Sequence, residues 1–376
     1  MKKKLLAATL MAAMTITTVF GGSAVLAADD AASTKVITDS MGNEVEVPTE
    51  IKSMAILPMP WISVVYALNG SGDIITGMQQ VAKNSYETSI LKKLAPELED
   101  TNTTFFADGE FNYEELAKIN PDVVMLFESQ SKHIDKLKEV GIPAFTIKYA
   151  DSYDTLWNDF SIIGNVLSKE ERAQEFVDYQ KADVQYFEDR AADLENLDDV
   201  KVMHIYTIDE LAVADNSGVN NATIAYCGGV NVGESNIDAS SDTAINMEQV
   251  YSWDPEVILL SNFDDVVPED LYNNTIDGQD WSQVEAVKNH RVYKIPQGIY
   301  RWDADCPCTE TTLCMKWMAK VINPEVFKDI DIRQDTKDFY KNFFNYDLTD
   351  EELDTILATE ANASSAVSYT HLRAHE

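Results

Sequence analysis

An arginine between two large aromatic side chains is the strongest candidate for ligand chemistry in this sequence. Arg301 lies between Tyr300 and Trp302, in a loop that follows the predicted strand Arg291 to Ile295. A guanidinium group is always charged and carries five N–H donors, so it suits an anionic group on a ligand. Aromatic rings beside it can stack on a planar or aromatic ligand. The loop therefore predicts a binding site and not a catalytic one.

The other candidate ligand residues also follow predicted strands, because ligands of open α/β sheets bind beyond the carboxyl ends of the strands. Tyr149 and Phe263 lie in the same set of loops. For every aromatic residue in these loops, packing in the core is the alternative interpretation. The predicted ligand-binding residues are Pro60, Trp61, Gln80, Phe106, Glu128, Gln130, Tyr206, Asn262, Tyr300, Arg301 and Trp302.

Motifs for catalysis or for a resident metal ion are not found in the sequence. It contains no G-x-S-x-G, P-loop, G-x-G-x-x-G or H-E-x-x-H segment. The adjacent acids Glu114 and Glu115 lie on a predicted helix, where neighbouring side chains diverge. His133, His204 and His290 form no His-x-His or His-rich segment. We therefore expect a protein that is not an enzyme, with no cofactor and no bare metal ion of its own.

The four cysteines leave two alternatives open. In an exported protein they could form one or two disulfides, whereas in a reducing environment they would remain thiols. A disulfide between Cys306 and Cys308 is disfavoured, because the ring would be too tight. The C-x-C-x5-C spacing is not that of a zinc site. We expect a structural role for Cys227, Cys306, Cys308 and Cys314, with their pairing left open.

A repeated segment shows how the elements that carry these loops are organised. Residues 111–127 and 245–261 share N-x-E, six further residues, P-[DE]-V and an apolar run, at a constant offset of 246 − 112 = 134. Glu114 and Glu248 occupy equivalent positions. Each copy predicts a short helix that ends before proline and is followed by a buried strand. Chance is the alternative, since proline often precedes an apolar strand.

Between the two copies the pattern changes to that of one long helix. No glycine or proline occurs from Glu170 to about Leu194, and apolar residues recur at helical spacing. This predicts one helix of roughly 25 residues, or about 37 Å. Continuous apolar strands on either side of it predict parallel sheets covered on both faces. The expected fold is α/β, with two similar lobes at 35–167 and 200–360, mainly parallel central sheets, a linking helix at 168–196 and a ligand cleft between the lobes.

Both ends of the chain carry segments that we exclude from the fold. A basic start, an apolar run and a small-residue stretch ending at Ala27 predict a signal peptide at 1–27, with a retained anchor as the alternative. Residues 367–376 look like a translated adapter sequence and not part of the natural protein. No cysteine lies near the predicted cleavage site, so a lipid anchor is not expected. We expect export to the periplasm or the cell exterior.

The chain is strongly acidic, with a formal net charge of −35. Such a charge argues against nucleic acid and anionic membrane surfaces as partners. It does not identify a ligand.

With these residues placed, the chain resembles the substrate-binding proteins of ABC importers for iron–siderophores, haem and cobalamin. The resemblance covers about 35–360. It depends on the order and spacing of several segments: the opening I-T-D-S-M-G-N-E-V-E-V-P, both repeated units, G-G-V-N-V at 228–232, and the segments at 281–296 and 316–331. The family fold is two lobes bridged by one long helix, with the ligand between them.

The resemblance implies a role in import. It implies capture of a ferric siderophore or haem and delivery to an ABC permease and its ATPase. Glu114 and Glu248 match the family's surface glutamates, which bind permease arginines. The alternatives are a cobalamin or other corrinoid ligand, a molybdate-type oxyanion, or a sensor that takes no part in transport.

Overall fold

The computed structural model describes residues 33–215, 218–233, 243–303 and 308–365. The predicted signal peptide, the excluded C-terminal residues 367–376 and Cys306 lie outside these ranges. Within them, no helix combines the length and apolar character needed to cross a membrane.

Strands and helices alternate along most of the described chain. The strands are β1 (Thr34–Thr38), β2 (Glu44–Pro48), β3 (Met54–Ile56), β4 (Ile75–Met78), β5 (Phe106–Ala107), β6 (Glu110–Phe111), β7 (Val123–Phe127), β8 (Ala144–Ile147), β9 (Val200–Thr207), β10 (Ala212–Val213), β11 (Gly229–Asn231), β12 (Thr243–Ala244), β13 (Val257–Leu260) and β14 (Val292–Lys294). The α-helices are α1 (Trp61–Asn69), α2 (Gln80–Thr88), α3 (Leu91–Leu94), α4 (Tyr113–Ile119), α5 (Ile134–Glu139), α6 (Tyr153–Leu167), α7 (Glu170–Glu188), α8 (Ala191–Leu194), α9 (Asn220–Tyr226), α10 (Met247–Trp253), α11 (Pro268–Tyr272), α12 (Glu285–Lys288), α13 (Thr311–Ile322), α14 (Ile332–Phe344) and α15 (Asp350–Ile356). Short 3-10 helices cover Pro96–Asp100 and Glu128–His133.

Two separate sheets form the centres of the fold. The first has the order β4-β3-β7-β8 and is parallel throughout. The second has the order β12-β10-β9-β13-β14, with β11 also pairing with β9; β10 pairs antiparallel with both β9 and β12, and the other pairs are parallel. β3, β13 and β14 are buried along their whole length, as expected for parallel strands covered on both faces. The predicted α/β class with two mainly parallel sheets is confirmed.

The helix between the two sheets is shorter than predicted. α7 covers 19 residues, about 28 Å, and the chain then turns into the separate four-residue α8. The backbone N–H of Arg190 donates to the carbonyl of Phe187 at 3.0 Å, which tightens the last turn. The Arg190 guanidinium stacks on the Tyr186 ring and pairs with Asp329 at 2.6 Å. Tertiary contacts thus end a helix in which no residue breaks the pattern.

Aromatic packing joins α7 to both halves of the chain. Phe176 contacts Phe160 of α6 and stacks on Phe343 of α14, with ring centroids 4.3 Å apart in the second pair. Phe187 packs on Phe327 at 5.2 Å. α7 is therefore part of one continuous core and is not an exposed connector.

Candidate functional site

Arg301 lies on a tight loop at the carboxyl end of β14. Gly298 N–H donates to the Tyr300 carbonyl at 2.9 Å, and Gln297 forms an antiparallel bridge with Arg301. This turn brings the guanidinium over the ring of Phe263, which follows β13, with 4.1 Å between the guanidinium carbon and the ring centroid. The loop thus joins two neighbouring strand ends in one site.

The guanidinium of Arg301 is buried and has unused donors. The residue is only 8% exposed, yet Nε and Nη1 have no hydrogen-bond partner among the described residues. A buried charge without partners is costly, so such a group is normally paired. The arrangement fits a site whose missing partner is an anionic group on a ligand.

Aromatic and polar residues complete the wall around Arg301. Tyr206, at the end of β9, meets Phe263 edge to face at 6.0 Å. The Asn262 amide donates to the carbonyls of Ile295 and Pro296 at 2.8 and 3.3 Å, which ties the ends of β13 and β14 together. Of the residues predicted from the sequence, the structure therefore brings Tyr206, Asn262 and Arg301 to one site, with Phe263 at its exposed side.

A buried polar group beside this wall was missed by the sequence analysis. His204 Nε2 lies 3.3 Å from Asp303 Oδ1, and its Nδ1 lies 3.4 Å from Asn220 Oδ1. His204 also packs against Tyr206, with centroids 4.9 Å apart. The available signal was a histidine inside the apolar strand β9. Its partners lie 16 and 99 residues away along the chain, so no local sequence pattern could predict these contacts.

The loop of Arg301 also contacts the first half of the chain. The Gln297 amide donates to Thr88 Oγ1 at 3.0 Å, and Ile90 N–H donates to the Gly298 carbonyl at 3.4 Å. Met59 packs against the cluster of Tyr300 and Cys308. These contacts place the Arg301 loop where the two halves of the chain meet.

Several predicted ligand residues are packed in the interior. Trp61 is 1% exposed and meets Phe160 edge to face at 5.7 Å, and Pro60 is buried next to it. Tyr300 and Trp302 are also buried. The aromatic rings among these residues therefore offer no open face to solvent in this conformation.

The remaining predicted residues lie on the first half of the chain and do not form one cluster. Gln80 is exposed and bonds to Asn84. Phe106 packs edge to face on Phe111 at 5.0 Å. The side-chain oxygen of Gln130 accepts from Phe127 N–H at 3.0 Å, and Glu128 is half-buried in the same turn. The side-chain oxygen of Gln130 is thus used in a hydrogen bond within its own turn.

Metal-binding side chains do not converge in the part of the chain that the structure describes. No three His, Cys, Asp or Glu residues there could hold one ion. Cys227 is a free thiol that donates to the Met315 carbonyl at 3.4 Å, and burial raises its pKa well above the ordinary value. The disulfide alternative therefore does not apply to Cys227.

The sequence and the fold both match known proteins. The sequence profile of the periplasmic binding protein family matches residues 62–298. The chain belongs to this family. It is a solute-binding protein of the kind that serves ABC transporters, as the resemblance of its motifs predicted.

Three relatives give the range of this family. A periplasmic solute-binding protein of Veillonella parvula is 43% identical, with 88% of this chain and 99% of that chain covered and a TM-score of 0.82. The molybdate-binding protein MolA of Haemophilus influenzae is 24% identical over 82% of this chain and 91% of MolA; its molybdate-bound structure has a TM-score of 0.72 over 84% and 99% of the two chains. CeuE of Helicobacter pylori with a nickel–histidine complex is 20% identical, with coverage of 86% and 99% and a TM-score of 0.68.

The two repeated units of this solute-binding protein fold alike. α4 and α10 each have seven residues, begin at a capping asparagine and end at a residue with positive φ, Asn120 or Asp254. The Asn112 side chain accepts from Glu114 N–H and Glu115 N–H at 3.2 Å, and that of Asn246 accepts from Gln249 N–H at 3.0 Å. These caps satisfy N–H groups that a helix start leaves unpaired.

Each unit is also tied to its own sheet by the acidic residue after proline. The Asp122 carboxylate accepts from Lys52 N–H at 2.7 Å, just before β3. The Glu256 carboxylate accepts from Lys201 N–H at 3.0 Å, in β9. The conserved P-[DE]-V pattern within this one chain therefore has a structural cause, whereas the exposed Glu114 and Glu248 do not hold their helices in place.

A buried carboxyl group of this solute-binding protein gives stability a distinct pH dependence. Asp159 of α6 is fully buried; its Oδ1 accepts from Lys148 N–H at 3.3 Å and its Oδ2 has no partner among the described residues. Burial, with a smaller contribution from Glu128, raises the pKa of Asp159 to about 8. Because the unfolded carboxyl ionises near pH 4, the folded state binds the extra proton between those values and loses stability as pH rises.

We expect Asp159→Asn to remove this part of the pH dependence. The wild-type free energy of unfolding should fall from pH 5 to pH 8 by about 1–3 kcal/mol more than that of the variant. Urea unfolding at the two pH values measures the difference. Asp154→Asn, an exposed site on the same helix, is the control and should behave as wild type. An equal pH slope in wild type and Asp159→Asn would show that Asp159 does not carry the effect.

Proposed function

We propose that this solute-binding protein captures a compact oxyanion of the molybdate class on Arg301 and delivers it to an ABC permease and its ATPase. The observation that carries the proposal is the buried Arg301 guanidinium, which lies above the Phe263 ring and whose Nε and Nη1 have no hydrogen-bond partner among the described residues. N–H donors on a permanently charged group suit an oxyanion well.

The burial of the neighbouring aromatic residues supports a small ligand. Trp61, Tyr300 and Trp302 are almost fully buried, so few ring faces are open to stack on a broad, flat chelate. A compact anion needs charge and hydrogen bonds more than stacking area. The likeness to MolA, which is named for molybdate and whose structure holds it, supports the same class.

An anionic ferric chelate is the second candidate, and two exposed rings favour it. Phe263 is 39% exposed and Tyr149 is 42% exposed, and both follow parallel strands. Rings at such positions could stack on a siderophore or haem while Arg301 binds its negative charge. CeuE with its nickel–histidine complex supports a metal chelate as a ligand for this fold.

The proposed setting is outside the cytoplasmic membrane. Its support is the N-terminal segment with the pattern of a signal peptide and the family's periplasmic relatives. The exposed Glu114 and Glu248, on equivalent helices, are the proposed contacts with the permease.

Calorimetric titration of residues 28–366 against a panel tests the ligand class, with tryptophan fluorescence as a second readout. The panel is molybdate, sulfate, a ferric catecholate, a ferric hydroxamate, haem and cobalamin. We expect sub-micromolar binding of molybdate. Binding of a ferric chelate or haem without molybdate would replace the first candidate by the second, and cobalamin binding alone would contradict both.

A further inference from the structure

A buried carboxylate lies at the start of α13, beneath the loop that carries Arg301. Glu310 is fully buried. Its Oε2 accepts from Ile299 N–H at 3.0 Å and from Tyr300 N–H at 3.4 Å. Its Oε1 accepts from the Tyr340 hydroxyl of α14 at 2.7 Å. Two backbone N–H groups and one hydroxyl group thus donate to the carboxylate.

The loop is shaped around this carboxylate. A Cβ atom on Gly298 would lie 2.0 Å from Glu310 Oε1 and 2.4 Å from Oε2, so any side chain at that position would displace the carboxylate. Residues 298–300 thus wrap Glu310 directly, and the bridge between Gln297 and Arg301 closes the loop above it. Hydrogen bonds to Glu310 therefore hold the backbone of the two residues that precede Arg301.

A buried charge of this kind needs an explanation, because apolar residues of similar volume often serve stability better. Burial raises the pKa of Glu310 to about 7, which records the cost of keeping it ionised. Ionisable groups kept at such a cost are concentrated at functional sites.

We propose that Glu310 is a positioning residue, which holds the loop 298–302 so that the Arg301 guanidinium points at the anion. The proposal rests on the proposed function, in which Arg301 binds the anionic ligand. Tyr340 of α14 contributes indirectly, because the hydrogen bond from its hydroxyl group helps to keep the Glu310 carboxylate in place. The alternative is that Glu310 only stabilises the fold, without influence on Arg301.

A double-mutant cycle with molybdate as the probe separates these alternatives. At pH 8, where Glu310 is mostly ionised, we expect Glu310→Gln to weaken molybdate binding about ten-fold, because the neutral amide offers one acceptor oxygen where the carboxylate offers two. In an Arg301→Met background the same change should have no further effect on residual binding. Wild-type affinity in Glu310→Gln, or an equal loss in both backgrounds, would overturn the proposal.

Two further variants act on the same contact, in case Glu310→Gln fails to fold. Gly298→Ala pushes on the carboxylate from the loop side and should weaken binding as Glu310→Gln does. Tyr340→Phe removes a single donor and should cause a smaller loss, of about two- to three-fold. Glu325→Gln, an exposed glutamate after α13, is the matched control and should bind as wild type.

A ligand-free readout distinguishes failure of this inference from failure of the proposed function. Phenylglyoxal modifies accessible arginines, and the modified peptide is quantified by mass spectrometry. Arg301 should react slowly in the wild type and several-fold faster in Glu310→Gln. If the wild type does not bind molybdate, the proposed function is wrong, and the labelling alone decides whether Glu310 holds Arg301; equal labelling rates would contradict that.

Discussion

Replacing Arg301 by methionine is expected to weaken molybdate binding by about 100-fold or more. Each hydrogen bond between a charged donor and an anion contributes about 1.5–3 kcal/mol, and two nitrogen atoms of the guanidinium have no partner in the described part of the chain. Methionine is an unbranched apolar side chain that fills part of the same space but lacks both donors and the charge. Isothermal titration calorimetry measures the loss.

The same variant should be at least as stable as the wild type without ligand. Arg301 is a buried charge whose Nε and Nη1 have no partner within the described chain, so its removal relieves a cost in the empty protein. Thermal unfolding without ligand checks this point. Arg301→Lys is the matched variant, since it keeps the charge and loses the planar fork; its binding should lie between the two. Unchanged affinity in Arg301→Met would remove Arg301 from the site.

Reversing both repeat glutamates, Glu114→Lys with Glu248→Lys, is expected to abolish uptake and to leave ligand affinity within about two-fold of wild type. Both side chains are exposed on equivalent capped helices, far in sequence from the Arg301 loop. Charge reversal would place lysine against permease arginines, and like charges at a contact repel. Uptake of labelled ligand by cells or proteoliposomes that contain the permease and ATPase measures the effect.

The control for this pair carries the same change in net charge, four units, at other exposed glutamates. Glu195→Lys with Glu325→Lys meets this condition. We expect normal uptake from the control pair. Normal uptake from the Glu114 and Glu248 pair would show that the permease binds elsewhere, whereas an equal loss in both pairs would indicate an effect of overall charge.

Local patterns in the sequence were sufficient for most of the fold. The repeated units predicted α4 with β7 and α10 with β13, because caps, proline and apolar runs act within a few residues. The end of α7 was not predictable in the same way. It depends on the contact between Arg190 and Asp329, which are 139 residues apart.

The site was only partly predictable, for a related reason. Arg301 was found from its residue type and its place after a strand. The burial of Trp61 and Trp302 depends on what packs over them, which no local pattern records. The buried position of Glu310 was not predictable either, because an acidic residue just before a helix is normally interpreted as an exposed cap. Its proposed role follows from the loop 298–300 and from Tyr340, which contact it in space although they are distant in the pattern of the sequence.

Because the two repeated units are anchored to different sheets, the distance between their glutamates reports the relative orientation of the two sheets. Asp122 ties one unit to the first sheet and Glu256 ties the other to the second, so each exposed carboxylate moves with its own sheet as a rigid marker. Any rotation of one sheet relative to the other changes the span from Glu114 to Glu248. A partner that binds both glutamates would therefore respond to the relative orientation of the two sheets through the distance between Glu114 and Glu248, without any contact to the ligand.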